Sequence, residues 1–222
     1  MKTILKSYVF LAVLIGGMLV SSSAFSYTVT AGGQAVAGEG FTTSVIGATV
    51  TDFNSGVLPA GYSGGAVVTG SSGGNWAAPP GDTSYYYTVG PGAGQSTPGT
   101  LTFGSLNQYF GFFGGSPDSY NSIELYAGST MVGSFSGDEL YAFAFGTSTS
   151  PTGDQAQGAY WNIWADNASE FFDKVVFIST VNAFETDNHA HLAAIPIPAA
   201  VWLFVSGVLG LIGVSSSKRR AA

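Results

Sequence analysis

Glycine- and proline-containing turn signals recur at short intervals along the middle of the chain, and this spacing limits the elements between them to short segments. Those segments are rich in β-branched and aromatic residues, which favour strands. We predict ten strands, at residues 43–50, 66–69, 85–89, 100–103, 109–113, 122–126, 131–135, 160–164, 174–179 and 183–192. No helix is predicted before residue 199. The pattern therefore indicates an all-β fold, an antiparallel β-sandwich.

Low-complexity disorder is the alternative for a chain with 32 glycines. Aromatic residues make up 14% of the chain, however, and they supply core area that disordered chains lack. Residues 27–194, the part between two specialised ends, have a suitable length for one folded domain. The chain has no cysteine, which excludes disulfides and cysteine-ligated metal sites.

The charges are distributed unevenly along the chain. All 13 acidic residues lie between Glu39 and Asp187, and Lys174 is the one basic residue in that stretch. Thirteen carboxylates against one lysine give the middle of the chain a formal charge of −12. Such a surface repels nucleic acid, since it offers no cluster of Lys or Arg to displace counterions. A nucleic-acid-binding function is excluded on this ground.

The N-terminal 26 residues have the three-part pattern of a secretory signal peptide. Two lysines precede an apolar stretch at residues 8–20, and the small-residue site Ala24-Phe25-Ser26 follows. We predict cleavage between Ser26 and Tyr27, and therefore export across the inner membrane. An uncleaved anchor helix is the alternative, but the apolar stretch is short for a membrane span.

A second apolar segment lies near the C-terminus, between a Pro-X-Pro step and a basic cluster. Residues 199–217 are predicted as one transmembrane helix, with Trp202 as an interfacial anchor near its start. The cytoplasmic end is marked by three basic residues: Lys218, Arg219 and Arg220. Pro196 and Pro198 cannot join a helical hydrogen-bond ladder, so the step before the helix stays extended. A buried C-terminal helix is the alternative interpretation.

This C-terminal order resembles the PEP-CTERM sorting signal of Gram-negative bacteria. In particular, the sequence IPIPAAVWLF looks like the variant written VPLPAAVWLF. The resemblance implies that a membrane-embedded exosortase recognises the chain and cuts near Ile195, Pro196, Ile197 and Pro198. The archetypal motif has Glu between the prolines, where this chain has Ile197. By this resemblance residues 195–222 are a sorting signal, and the protein is a substrate of the sorting enzyme.

The body of the chain resembles one family of exosortase-dependent surface proteins. The segment YFGFFGGSPDSYN, residues 109–121, carries most of this resemblance, and pieces at residues 52–61 and 182–188 add to it. Related sequences often have Trp where this chain has Gly114. The resemblance implies a jelly-roll-like sandwich, similar to carbohydrate-binding modules. Within it, residues 122–135 are predicted to form a hairpin around an Ala-Gly-Ser turn.

The last predicted strand carries the candidate metal ligands. Because side chains alternate along a strand, Glu185, Asp187, His189 and His191 are expected on one face. Carboxylates and imidazoles together suit a transition metal such as Zn²⁺ or Ni²⁺. The alternatives are a solvated polar face and a structural Ca²⁺ held by Asp187 and an acid from another strand. No other cofactor is expected.

Aromatic side chains are the candidate ligand-binding residues, because flat rings stack on the C–H surfaces of sugars. The rings proposed to point outward belong to Trp76, Tyr86, Trp161 and Trp164. Packing in the core of a sandwich is the alternative use for such rings. No nucleophile elbow, cysteine nucleophile or phosphate loop is present, and no spacing marks a catalytic pair of carboxylates. We therefore expect a protein that is not an enzyme.

Together these features predict an exported protein of the cell surface, outer membrane or extracellular matrix. The Sec export machinery and an exosortase are the expected partners, the C-terminal helix would hold the chain transiently in the membrane, and exopolysaccharide is the expected association in a biofilm. A carbohydrate-binding module with the same tail is the second hypothesis, and a glycan-active enzyme is the third.

Overall fold

The computed structural model describes residues 26–147 and 153–195. Within these residues the chain is mostly β. The strands are β1 (Tyr27–Ala31), β2 (Gln34–Val36), β3 (Gly40–Thr42), β4 (Thr49–Thr51), β5 (Tyr62–Ser63), β6 (Ala66–Thr69), β7 (Tyr85–Val89), β8 (Gly99–Gly115), β9 (Asn121–Ala127), β10 (Thr130–Ser136), β11 (Gly158–Ala165), β12 (Phe172–Ser179) and β13 (Phe184–Ala193). One α-helix, α1 (Gly137–Phe145), follows β10, and a short 3₁₀ turn spans Ala168–Glu170.

Eleven of these strands form one curled antiparallel sheet. Its main path runs β10-β9-β12-β8-β13-β7-β6, with β11 and β5 also paired to β8, β1 paired to β11, and β4 paired to β13. The remaining two strands, β2 and β3, form a separate small ribbon. The all-β prediction is therefore confirmed, and every pairing between strands is antiparallel.

The 17-residue strand β8 organises the sheet because its two halves have different neighbours. Its first half pairs with β12 and β5, and its second half pairs with β11 and β13. Residues 109–115 of the second half are all buried. The two strands predicted at residues 100–103 and 109–113 are therefore parts of one continuous strand.

The second half of β8 separates two hydrophobic clusters. Phe110 and Phe112 belong to the main core, together with residues such as Phe177 and Trp161. Tyr109 and Phe113 face the other way and belong to a smaller cluster: Tyr109, Phe113, Tyr160 and Ala190, covered by Val45, Ala48, Trp164 and Leu192. Both faces of this segment are therefore buried, which explains why aromatic residues occupy consecutive positions instead of alternating with polar ones.

The helix α1 contradicts the prediction that no helix precedes residue 199. It begins with a capping box, in which Glu139 N–H donates to Ser136 Oγ and the Glu139 carboxylate accepts from Ser136 N–H. It ends at Gly146, which has φ 74° and donates its N–H to Ala142 O. The Ser-Gly-Asp-Glu sequence at its start is typical of a helix N-terminus. A turn was predicted there instead, because a strand-like run precedes it and a glycine lies within it.

Most predicted strands match the observed ones closely. Strands β6 and β7 have the predicted bounds, and the predicted hairpin is confirmed by the pairing of β9 with β10 across Gly128 and Ser129. The predicted strand at residues 43–50 is wrong, since only residues 49 and 50 lie in a strand, β4. The short strands β1, β2, β3 and β5 were not predicted.

The predicted signal peptide up to residue 25 lies outside the described residues, and so do the predicted helix at 199–217 and its basic end. Within residues 26–147 and 153–195, no helix is long and apolar enough to cross a membrane.

Candidate functional site

A β-bulge divides the face of β13 that was predicted to hold a metal. Asn188 has φ 48°, in the left-handed region, and the pairing of β13 with β8 shifts between Asp187 and Ala190. An inserted residue of this kind reverses the alternation of side chains beyond it. His189 therefore lies on the same side as Thr186, and the two side chains are hydrogen-bonded at 2.8 Å. Asp187 lies on the opposite side.

His189 is a core residue. It is buried among aromatic rings, with the Phe177 ring stacked on it at 4.9 Å between centroids. Its Nδ1 pairs with the Tyr62 hydroxyl at 2.9 Å and its Nε2 with Thr186, so both nitrogens are occupied. Burial lowers the pKa of His189 to about 3, which keeps the imidazole neutral at physiological pH.

The predicted transition-metal site of Glu185, Asp187 and His189 is therefore wrong. The three side chains diverge: Glu185 contacts Ala77, Asp187 faces Asp82, and His189 points into the core. His191 packs against the Phe103 ring instead, with 4.6 Å between centroids. Among the residues that the structure describes, no three His, Cys, Asp or Glu side chains are arranged to hold a metal ion.

Asp82 and Asp187 form a buried pair of carboxyl groups. Asp82 Oδ1 accepts hydrogen bonds from the backbone N–H and the hydroxyl of Ser84, at 2.8 and 2.7 Å. Asp82 Oδ2 and both carboxyl oxygens of Asp187 are buried without a hydrogen-bond partner. Burial raises the pKa of Asp187 to about 9, and the nearby charges of Asp82 and Glu39 contribute. Burial also raises the pKa of Asp82. The pair therefore carries a proton at neutral pH.

The calcium hypothesis required an acid from another segment beside Asp187, and Asp82 occupies that position. Calcium needs six to eight oxygen ligands, however. Two carboxyl groups with three free oxygens fall short of that number, and no third acidic side chain joins them in a metal-binding arrangement within the described residues. These residues consequently fit a proton better than a calcium ion.

Two of the four aromatic residues predicted to bind sugar lie in the interior. The Tyr86 and Trp161 side chains have no exposed surface, so their predicted role in stacking on a ligand is wrong. Trp161 stacks on Phe112 and donates its indole N–H to Leu140 O at 2.7 Å. It is buried because β11 pairs with the half of β8 that is covered on both faces. Trp164 is half-buried and packs on Tyr109 in the smaller cluster, with 4.5 Å between ring centroids.

Trp76 lines a cleft, and Glu185 lines the same cleft. We call it the Trp76 cleft and define it by Asn75, Trp76, Gln155, Asn182 and Glu185. Its volume is about 270 Å³, and it lies between the loop that follows β6 and the connection from β12 to β13. The structure thus brings together one predicted ligand-binding residue, Trp76, and one predicted metal ligand, Glu185.

A network of side-chain amides fixes the walls of the Trp76 cleft. Asn182 Nδ2 donates to Gly74 O at 2.9 Å, and Gln95 Nε2 donates to Asn75 O at 2.8 Å. Gln95 in turn accepts from the Thr88 hydroxyl at 2.9 Å. The loop that carries Trp76 is therefore bound to β7 and to the start of β13 before any ligand arrives.

Glu185 forms the floor of the cleft. The residue is 3% exposed, and its carboxyl accepts the Ala77 N–H at 2.7 Å, which connects it to the loop that carries Trp76. Burial raises the pKa of Glu185 to about 7, with a smaller contribution from the charge of Asp118. The protonated form of the Glu185 carboxyl is therefore more favoured than in an exposed glutamate.

Sequence reasoning missed Asp82, Gln95 and Asn182. Asn182 stands in one of the pieces that carried the family resemblance, but no pattern connects it to Trp76, which is 106 positions earlier in the chain. Asp118, interpreted as a turn residue, does bond its surroundings, accepting from the Tyr120 hydroxyl at 2.7 Å and from Gly153 N–H.

The predicted processing positions lie at the two ends of the described chain. Ser26 donates its N–H to Glu170 Oε1 at 2.7 Å, and Tyr27 begins β1. Ile195 follows β13 and is 78% exposed. The remaining predicted residues lie outside the described residues: Pro196, Ile197, Pro198, Trp202, Lys218, Arg219 and Arg220.

Comparison with known proteins adds no further constraint on this site. No protein-family model, no curated protein and no solved structure matches the chain.

Proposed function

We propose that this chain is an exported surface or matrix protein and a substrate of an exosortase-type sorting enzyme. The observation that carries the proposal is the order of the C-terminal features: a Pro-X-Pro step, an apolar segment and a terminal basic cluster. A signal peptide at residues 1–26 delivers the chain to the membrane, and the helix at 199–217 holds it there during processing. The processed protein associates with the cell surface or with exopolysaccharide.

The described fold supports this proposal, because both cuts would leave its strands intact. The sheet begins at Tyr27 and the last strand ends at Ala193. Beyond β13, Ala194 N–H donates to Leu106 O at 2.9 Å, and the next residue, Ile195, is exposed. An enzyme that binds the chain from Ile195 onward would therefore meet an accessible segment outside the sheet.

The finer description of the fold belongs to the same proposal. We describe the domain at residues 27–194 as a jelly-roll-like β-sandwich. The curled sheet and the aromatic core enclosed by β8, β9, β11 and β12 support this description.

Intact mass of the protein recovered from its native host tests the sorting proposal. In a strain that has the exosortase gene we expect a species that begins near Tyr27 and ends close to residues 195–198. In a strain that lacks the gene, the C-terminal segment should remain attached. A Pro196→Ala, Pro198→Ala double variant should also retain the segment, because both fixed φ angles are lost.

Gly104→Ala is the matched control for processing. Gly104 lies in β8 with no atom within 4 Å of the position that a Cβ would take, so this variant should be processed like the natural protein. Retention of residues 218–222 in both strains would contradict the sorting proposal, and the segment would then act as a permanent membrane anchor.

A further inference from the structure

We propose that the Trp76 cleft binds an uncharged saccharide. This proposal names the class of ligand for the proposed association with a matrix. It rests on the proposed function only for the place where the protein meets that ligand.

The shape and rigidity of the cleft suit a small polar ligand. About 270 Å³ lies just below the roughly 300–1,000 Å³ of sites for drug-sized molecules, so the cleft accommodates a short segment of a glycan. Its walls are fixed in advance by the bonds from Asn182 to Gly74 and from Gln95 to Asn75. A site that is already ordered loses less conformational entropy when a ligand binds.

Trp76 provides an aromatic wall on one side of the cleft. Trp76 is only partly buried, and it lines the cleft. An indole presents a flat, weakly negative face, against which the C–H groups of a sugar ring can pack.

The polar groups around Trp76 can both donate and accept hydrogen bonds. Asn182 uses one N–H and one acceptor position within the protein, which leaves one of each available on its amide. Gln155 is exposed at the rim and adds a second amide. Because its pKa is near 7, the Glu185 carboxyl can serve as donor or as acceptor at neutral pH. Sugar hydroxyls need this combination, since each one donates and accepts.

The charge around the cleft selects against acidic sugars. Among the residues that the structure describes, no Lys, Arg or His lines the cleft, while Glu185 does line it and the charge of Asp118 acts on Glu185. Lys174 lies on β12 with its ammonium 4.3 Å from the centre of the Tyr126 ring, away from the cleft residues. A uronate or a phosphorylated sugar would therefore meet no cationic side chain in the described lining to compensate its charge.

Two other clefts of similar volume lack this set of groups. One is lined by Tyr27, Ser134, Phe135, Glu139 and Phe143, and it has no amide. The other is lined by small residues with Phe41 and Tyr160, and it has neither an amide nor a carboxyl group. The Trp76 cleft alone among these three combines an aromatic ring, amides and a carboxyl group.

Calorimetric titration of the purified full chain with oligosaccharides tests the inference. The probes are neutral oligomers of glucose, galactose and mannose units, and oligouronates of the same length. We expect at least one neutral probe to bind and the oligouronates to bind at least tenfold more weakly. Trp76→Ala should reduce the affinity for the neutral probe by tenfold or more. Tyr85→Ala, which removes an exposed ring outside the cleft, should bind like the natural protein.

A gain-of-function variant keeps the test independent of folding. Gln155→Arg places a cation at the exposed rim and should strengthen oligouronate binding relative to the neutral probe by fivefold or more. Binding to none of the neutral probes overturns the inference. So does neutral binding that Trp76→Ala leaves unchanged, or an equal affinity for oligouronates. Because the titrations use purified protein, the saccharide proposal can fail while the mass measurement in the host supports the sorting proposal. The reverse also holds.

Discussion

At the scale of single residues, buried acids set the response of this domain to pH. The pKa of Asp187 is raised to about 9 and that of Glu185 to about 7, in both cases chiefly by burial. Unfolding returns each group to an ordinary acidic pKa. Between its unfolded and its folded pKa, each group binds more protons in the folded chain than in the unfolded chain. The stabilisation from the protonated acid is therefore complete below the unfolded pKa and is lost as the pH rises through the folded pKa.

We therefore predict that the free energy of unfolding decreases as the pH is raised from 7 to 9. This range lies above the ordinary pKa of histidine, so the lowered pKa values of His189 and His191 do not oppose the effect there. The slope is limited to about 1.4 kcal/mol per pH unit for each proton released. Urea denaturation of the full chain at pH 7, 8 and 9 would measure it. Asp187→Asn should reduce the slope and raise the stability at pH 9, because the amide has the same size and no charge. Stability that increases from pH 7 to pH 9 would contradict the assignment of a protonated pair.

Gly114 gives a second prediction at this scale. A Cβ at this position would lie 2.9 Å from Trp161 Cζ3 and 3.2 Å from Phe112 Cε2. Gly114→Ala should therefore destabilise the domain by about 1–3 kcal/mol, the usual cost of overpacking. Gly104→Ala in the same strand meets no atom within 4 Å, so it should change stability by much less. Equal effects of the two variants in thermal denaturation would show that Trp161 leaves room for a methyl group.

At the scale of elements, helix α1 depends on its N-cap residue, Ser136. Ser136→Ala removes the hydroxyl that accepts Glu139 N–H, and loss of such a cap costs about 1 kcal/mol. We expect this loss in chemical denaturation. Glu139→Gln keeps a side-chain acceptor for Ser136 N–H and should cost less. Ser134→Ala, at an exposed position of β10, is the matched control. A Ser136→Ala variant as stable as this control would show that tertiary packing alone holds the helix.

Individual elements could be predicted where the local pattern is strong. Strands β6 and β7 lie between glycine turns and have alternating or wholly apolar runs, so their bounds followed from the sequence. The bounds of helix α1 did not follow from the sequence, because only four residues mark its start. The bulge in β13 was not predicted either. It depends on the left-handed conformation of Asn188, which no pattern in the neighbouring residues indicates.

At the scale of the whole molecule, the pairing of strands could not be predicted. The composition indicated an all-β domain, but nothing local shows that the two halves of β8 have different partners. The Trp76 cleft could not be predicted from the sequence for the same reason. Trp76 and Glu185 were both singled out, but for different purposes, and only the pairing of β13 with β7 brings them together. Two of the predicted sugar-binding rings, Tyr86 and Trp161, were lost to the core for the same reason.

The place of β13 in the sheet has a consequence for the order of folding. The last strand in the described residues, β13, lies between β8 and β7, near the centre of the sheet, and also pairs with β4. A chain that emerges from its N-terminus therefore cannot close the sheet until residues 184–193 have emerged. Long-range pairing of this kind is slow and leaves strand edges exposed meanwhile. In the proposed sorting scheme, cleavage near Ile195 would therefore best follow the pairing of β13 with its neighbours.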